Sequence, residues 1–108
     1  MRASLDLKSH RCPDMQSKLY KGLQAFISSS ANQVLIKCID PRFKSNLTQY
    51  LAMSEDMSVL ELVAMDTITL SAKVIEDWEK TGHTVYPMDI EGISTVQLAL
   101  VQKKGVNQ

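Results

Sequence analysis

The sequence predicts a two-layer α/β sandwich: a mixed β-sheet with helices packed on one face. Three observations carry this expectation. Segments with apolar residues at helical spacing alternate along the chain with short, β-branched apolar runs. The last two such runs follow one another with only Asp89-Ile90-Glu91-Gly92 between them, as in an antiparallel hairpin. Finally, three helices cover one face of a sheet more economically than two.

Each element has its own signal. Leu5-Asp6-Leu7 alternates as a short strand, edge or central, and Pro13 stands where a helix begins. Met15, Leu19, Tyr20, Leu23, Phe26 and Ile27 then line one face of a helix that stops at Ser28-Ser29-Ser30. Gln33 to Ile39 reads as a buried strand ended by Asp40-Pro41, completing a βαβ unit. Phe43, Leu47, Tyr50 and Leu51 make a second helix, and Ser58 to Met65 a third, buried strand. Thr69 to Lys80 sets Leu70, Val74, Ile75 and Trp78 on one helical face, with Gly82 as its C-terminal stop. Thr84 to Met88 and Thr95 to Val101 close the chain as a hairpin. In the second arm Val96, Leu98 and Leu100 alternate with Gln97 and Ala99, implying one wet face. The expected order is βαβαβαββ, with residues 103–108 as a disordered polar tail.

Composition bounds the function. At 108 residues and 44% hydrophobic, residues 1–108 form one domain with a self-sufficient core. No apolar run reaches membrane-spanning or signal-peptide length, so a cytoplasmic protein with no membrane partner is expected. Two cysteines 26 positions apart, without a CxxC, point away from a disulfide framework or structural zinc, and no organic cofactor or metal is expected. Hydrolase and nucleotide-binding turns are missing from a chain with four glycines. Net charge is zero but asymmetric: residues 1–44 carry eight Lys or Arg against three Asp, a balance of +5, and the remainder carries −5. These cations are scattered rather than interleaved with aromatics, so direct nucleic-acid binding is not expected.

Chemistry is expected at Cys12. Cys12-Pro13 at a strand-to-helix turn puts the sulfur at or near a helix N-terminus, where free amides and the helix dipole stabilise a thiolate. Arg11 and Lys8 add positive potential and Asp14 opposes it, so a lowered thiol pKa is expected. His10 could assist the thiol or merely be solvated. Cys38, in an apolar strand, should be buried and inert, His83 structural, and Trp78 core.

The run Leu5-Asp6-Leu7-Lys8-Ser9-His10-Arg11-Cys12-Pro13 resembles the opening signature of the TusA (SirA-like) sulfur carriers. In that family a Leu-Asp strand leads through a Gly-containing turn into Cys-Pro-x-Pro. Asp40-Pro41 is similar to the family's Asp-Pro after its second strand, and Trp78 to Val85 resembles its last helix-to-strand junction. Here Met15 replaces the second proline and Ser9 or His10 the glycine, and about one αβ unit is extra relative to the family's βαβαββ. That unit has no unique place, since Val59 to Asp66 fits the family's second strand as well; a further alignment puts Cys38 in the motif slot.

The resemblance implies a sulfurtransferase-type carrier. Cys12 would accept persulfide sulfur from a donor such as a cysteine desulfurase or another sulfurtransferase and pass it to an acceptor protein. Pro13, Arg11, His10, Asp14 and Met15 would shape its surroundings. Lys8, Lys18 and Lys21 suit docking against an acidic partner. The alternative is a regulatory or protein-interaction module of the same fold without sulfur transfer; a redox pair of Cys12 and Cys38 is a third reading.

Overall fold

The computed structural model describes residues 2–104, which form a mixed four-stranded sheet and four helices. The elements in chain order are β1 (Arg2–Asp6), α1 (Asp14–Ser28), β2 (Gln33–Cys38), α2 (Phe43–Met53), a 3₁₀ turn (Glu55–Met57), β3 (Leu60–Thr69), α3 (Ala72–Lys80), α4 (Pro87–Ile90) and β4 (Thr95–Lys103). The sheet order is β1-β2-β4-β3. β1 runs parallel to β2, Ala3 opposite Val34, and α1 is the crossover that this parallel pair requires. β2 and β3 both pair antiparallel with β4, which is therefore central.

The local chemistry explains the boundaries. α1 buries Met15, Leu19, Leu23 and Phe26 at intervals of three and four. It ends in the serine run because the Ser29 hydroxyl donates to Phe26 O at 2.7 Å and accepts from the Ala31 amide at 3.2 Å, replacing helical partners. α3 starts at Ala72, three residues later than its periodicity suggests. Thr69 still pairs with Thr95 in the sheet, and the Ser71 hydroxyl caps the helix on the Val74 amide at 3.3 Å.

The main core lies between the α1–α2 layer and one sheet face. Val34, Ile36 and Cys38 from β2 and Ala99 and Val101 from β4 meet Leu19, Leu23, Phe43 and Leu47 there. A smaller cluster gathers Ile39, Trp78 and Val96, with Val74, Ile75 and Leu98 packed against it. Val96 and Leu98 alternate with Ala99 and Val101, so α3 lies across one end of the sheet's other face.

Four expectations change. Thr84 to Met88 is not a strand: Pro87 cannot donate to a ladder and instead occupies the first turn of α4. The addition to a βαβαββ order is therefore helical, α3 and α4 lying between the two arms of the β3–β4 pair, whose neck is closed by the Leu70 amide on Ser94 O at 2.9 Å. β3 is an edge strand with Val63 and Ile68 exposed, not a buried one, and β4 buries Ala99 and Val101 on the side expected to be wet, as a central strand must. Lys103 and Lys104, expected in the tail, are tied to Asn32 O and Val59 O; residues 105–108 lie outside the described residues. Among the described residues no helix is long and apolar enough to cross a membrane.

Candidate functional site

The loop from Leu7 to Pro13 connects β1 to α1 and carries Cys12. The Leu7 amide continues the β1–β2 pairing onto Lys37 O at 2.8 Å. Lys8 then takes a left-handed conformation, φ 51°, with its amide on Asp6 Oδ1 at 2.9 Å, and the His10 amide closes the turn on Leu7 O. The Cys12-Pro13 peptide is cis. Pro13 occupies the N-cap of α1 with no side-chain cap, so Cys12 stands one residue before the cap.

The organising group is Asp40, fully buried at the end of β2. In a parallel pair the C-terminal ends of β1 and β2 open on the same side of the sheet, so the carboxylate meets the Cys12 loop. Its Oδ2 accepts the Cys12 amide at 2.8 Å and Arg42 Nη2 at 3.2 Å, while Oδ1 accepts the Arg42 amide at 2.9 Å and Arg42 Nε at 3.1 Å. Arg11 Nε lies 3.5 Å from Oδ2, and Arg11 Nη1 donates to Asp89 O at 2.7 Å. Burial alone would raise the Asp40 pKa, but the side-chain and backbone donors of Arg42 and the Cys12 amide hold it well below the usual carboxylate range.

Burial, together with this carboxylate, reverses the expected acidity of Cys12. Burial, and then the hydrogen bond to Asp40 and its negative charge, push the thiol up; the Arg42 charge and the Asn46 amide, 3.5 Å from Sγ, oppose this without prevailing. Arg11, expected to help, has its guanidinium directed to Asp40 and the Asp89 carbonyl. Cys38 is fully buried on the core face, and burial pushes its thiol up to about 12, in keeping with an inert side chain.

Cys12 is partly exposed and lines an open depression of about 380 Å³. Ser9, His10, Arg11, Pro13 and Asp14 form one wall; His83, Thr84, Tyr86 and Asp89, from the segment between α3 and β4, form the other. Ser9 Oγ and His83 Nε2 share a hydrogen bond of 2.5 Å, and the His10 and His83 rings meet edge-on at 4.9 Å. Burial first, then Lys18 for His10 and Lys8 for His83, lower both histidine pKa values.

The other site residues distribute as follows. Met15 is fully buried under α1, so it supports the turn from inside rather than facing a partner. Lys18 and Lys21 are exposed on α1, whereas Lys8 directs Nζ to Thr81 Oγ1 at 3.0 Å. Sequence reasoning passed over Asp40, Asn46, Arg42 and Tyr86 as site residues and read His83 as structural alone. Asp40 had a usable signal: a carboxylate at the end of a buried strand that pairs with the strand leading into Cys12. Among the described residues no three His, Cys, Asp or Glu side chains converge as a metal-binding set.

Comparison of the chain with protein-family models, curated proteins and solved structures gives no match.

Proposed function

We propose that this protein is a carrier of persulfide sulfur and that Cys12 bears the sulfur. The observation carrying this reading is a partly exposed thiol at the strand-to-helix turn, lining an open depression, with its backbone amide pinned to a buried carboxylate. Such a thiol is reachable by another protein's cysteine while its own backbone stays fixed. The resemblance of the Cys12-Pro13 and Asp40-Pro41 segments to TusA-like proteins supports the same reading, as does a βαβαββ order once α3 and α4 are set aside.

The chemistry is an exchange that needs no external oxidant. The Cys12 thiolate attacks the terminal sulfur of a donor persulfide, a new S–S bond forms on Cys12, and the donor's S–S bond breaks to leave the donor thiolate. The terminal sulfur on Cys12 is then attacked by an acceptor thiolate, which regenerates Cys12. Because its thiol is pushed up, Cys12 must lose a proton before the first step, and loading should accelerate as pH rises.

One observation favours a second reading. A thiol made less acidic by burial and by Asp40 suits a protein-interaction module of this fold that transfers no sulfur. The deciding experiment is intact mass after incubation with a cysteine desulfurase and free cysteine, on wild type, Cys12→Ser and Cys38→Ser. One added sulfur lost only in Cys12→Ser is the carrier outcome. No added sulfur on wild type, at neutral or alkaline pH and with a second persulfide donor, is the interaction-module outcome.

A further inference from the structure

The Cys12 sulfur has two polar partners of opposite character. Burial disfavours its thiolate, and Asp40, at the end of β2, adds to this by accepting a hydrogen bond from the thiol. Asn46, in the first turn of α2, instead directs Nδ2 to Sγ at 3.5 Å. An amide nitrogen only donates, so this contact is strongest when the sulfur carries negative charge. One turn of helix separates Asn46 from Arg42, whose charge also acts on the sulfur.

An asparagine can turn either its oxygen or its nitrogen toward a neighbour. Gln16, in the first turn of α1, fixes the choice: its Nε2 donates to Asn46 Oδ1 at 3.3 Å, which leaves Nδ2 for the sulfur. Both side chains are half-buried, and they tie the helix that follows Cys12 to the helix that follows Asp40. The other charged and titratable groups around the sulfur are otherwise engaged or unsuited. Arg11 is directed to Asp40 and the Asp89 carbonyl, and Arg42 donates twice to Asp40. Asp14, in the same depression, has the wrong sign, and Cys38 is enclosed in the core. Tyr50, one turn beyond Asn46, has its hydroxyl pKa raised by burial and then by the charge of Cys12.

We infer that Asn46 is the hydrogen-bond donor to the negatively charged Cys12 sulfur during sulfur transfer, and that Gln16 is its positioning residue. The part in transfer rests on the carrier reading, whereas donation to the thiolate does not. When an acceptor thiolate attacks the terminal sulfur, the S–S bond on Cys12 breaks and its electron pair goes to Sγ, the atom that Asn46 faces. No proton passes through the amide. In loading, the same contact raises the thiolate fraction but makes each thiolate a weaker nucleophile. Asn46 therefore favours discharge of Cys12 more than its loading.

The test reads Sγ with two small probes on the full chain. Iodoacetamide alkylation of Cys12 against pH reports the thiol. Cyanide, added to protein preloaded with inorganic polysulfide, takes the terminal sulfur as thiocyanate and reports Sγ as the leaving group. Asn46→Ala should raise the alkylation midpoint by about half a pH unit to one unit, keep the alkaline plateau rate undiminished, and slow thiocyanate release about threefold. Gln16→Met should act in the same direction by less and add nothing once Asn46 is alanine, whereas general loosening of the site would add. Gln49→Ala, which removes an α2 amide directed to Met53 Sδ at 3.8 Å, should change neither readout. An unmoved midpoint or a lowered plateau in Asn46→Ala, unchanged thiocyanate release from loaded protein, or a further effect of Gln16→Met beside Asn46→Ala overturns the inference. A raised midpoint with no sulfur loaded on wild type sinks the carrier reading alone; loading with an unmoved midpoint sinks the Asn46 assignment alone.

Discussion

At the scale of single residues, Cys12 and Asp40 are the closest electrostatic pair at the site. A helix N-terminus favours a thiolate, but burial disfavours it, and the neighbouring buried carboxylate adds to this because its charge is poorly screened there. Alkylation of Cys12 by iodoacetamide should therefore reach half its maximal rate above the pH of an ordinary thiol, and Asp40→Asn should move that profile to lower pH. A wild-type profile at or below the ordinary thiol value would contradict the assigned geometry. Asp40 also contributes to stability. Its folded pKa is depressed, so its contribution is complete above the unfolded carboxylate value, about 4, and is lost as pH falls toward the folded value. In urea denaturation Asp40→Asn should cost about 2–3 kcal/mol at neutral pH, at the low end for broken buried pairs because Arg42 is half exposed, and the difference should shrink below about pH 4.

At the scale of elements, the segment from α3 to α4 is held to the β1–α1 loop by a few side-chain bonds. Trp78 Nε1 donates to Asp6 Oδ2 at 3.2 Å, Lys8 reaches Thr81, His83 bonds Ser9, and Arg11 donates to Asp89 O. Asp6 and Asp89 attract a proton to His83, while Lys8 and Lys18 repel one; Asp14 and Lys18 act likewise on His10. Both histidines titrate lower in the fold than in the unfolded chain. Their contribution is thus complete above about pH 6.5 and fades as pH falls below it. Fluorescence of Trp78, the single tryptophan, should report earlier loosening of this segment at pH 5 than at pH 7.5, and His83→Ala should reduce that difference. Gly82 has φ 88° at the turn after α3, so Gly82→Ala should lower stability by about 1 kcal/mol in thermal unfolding.

At the scale of the whole molecule, stability follows position in the sheet rather than apolar character. Ile36 and Val63 both sit in strands that look equally buried in the sequence, yet Ile36 is fully enclosed on β2 and Val63 is 48% exposed on edge strand β3. Ile36→Ala should cost about 2–5 kcal/mol and Val63→Ala no more than about 0.5 kcal/mol in equilibrium denaturation. Comparable losses at both sites would mean that the β3 edge is covered in solution.

The sequence by itself determined the α/β class, the mixed sheet, the βαβ start, and the limits of α1 and α2 to within two residues. These follow from local causes: apolar spacing at 3.6 or 2 residues, proline's missing donor, and serine competing for helix-end carbonyls. It also singled out Cys12 and placed Cys38 in the buried core, where it lies. Only the tertiary structure decided which strands lie at the edges, that Pro87 turns a strand-like run into α4, and that the segment between α3 and β4 supplies the second wall of the Cys12 depression. The Cys12 protonation state belongs to the same class, because it depends on a carboxylate 28 residues away. Electrostatic effects in a protein interior act through a few ångströms of space, and chain folding, not sequence distance, sets that separation.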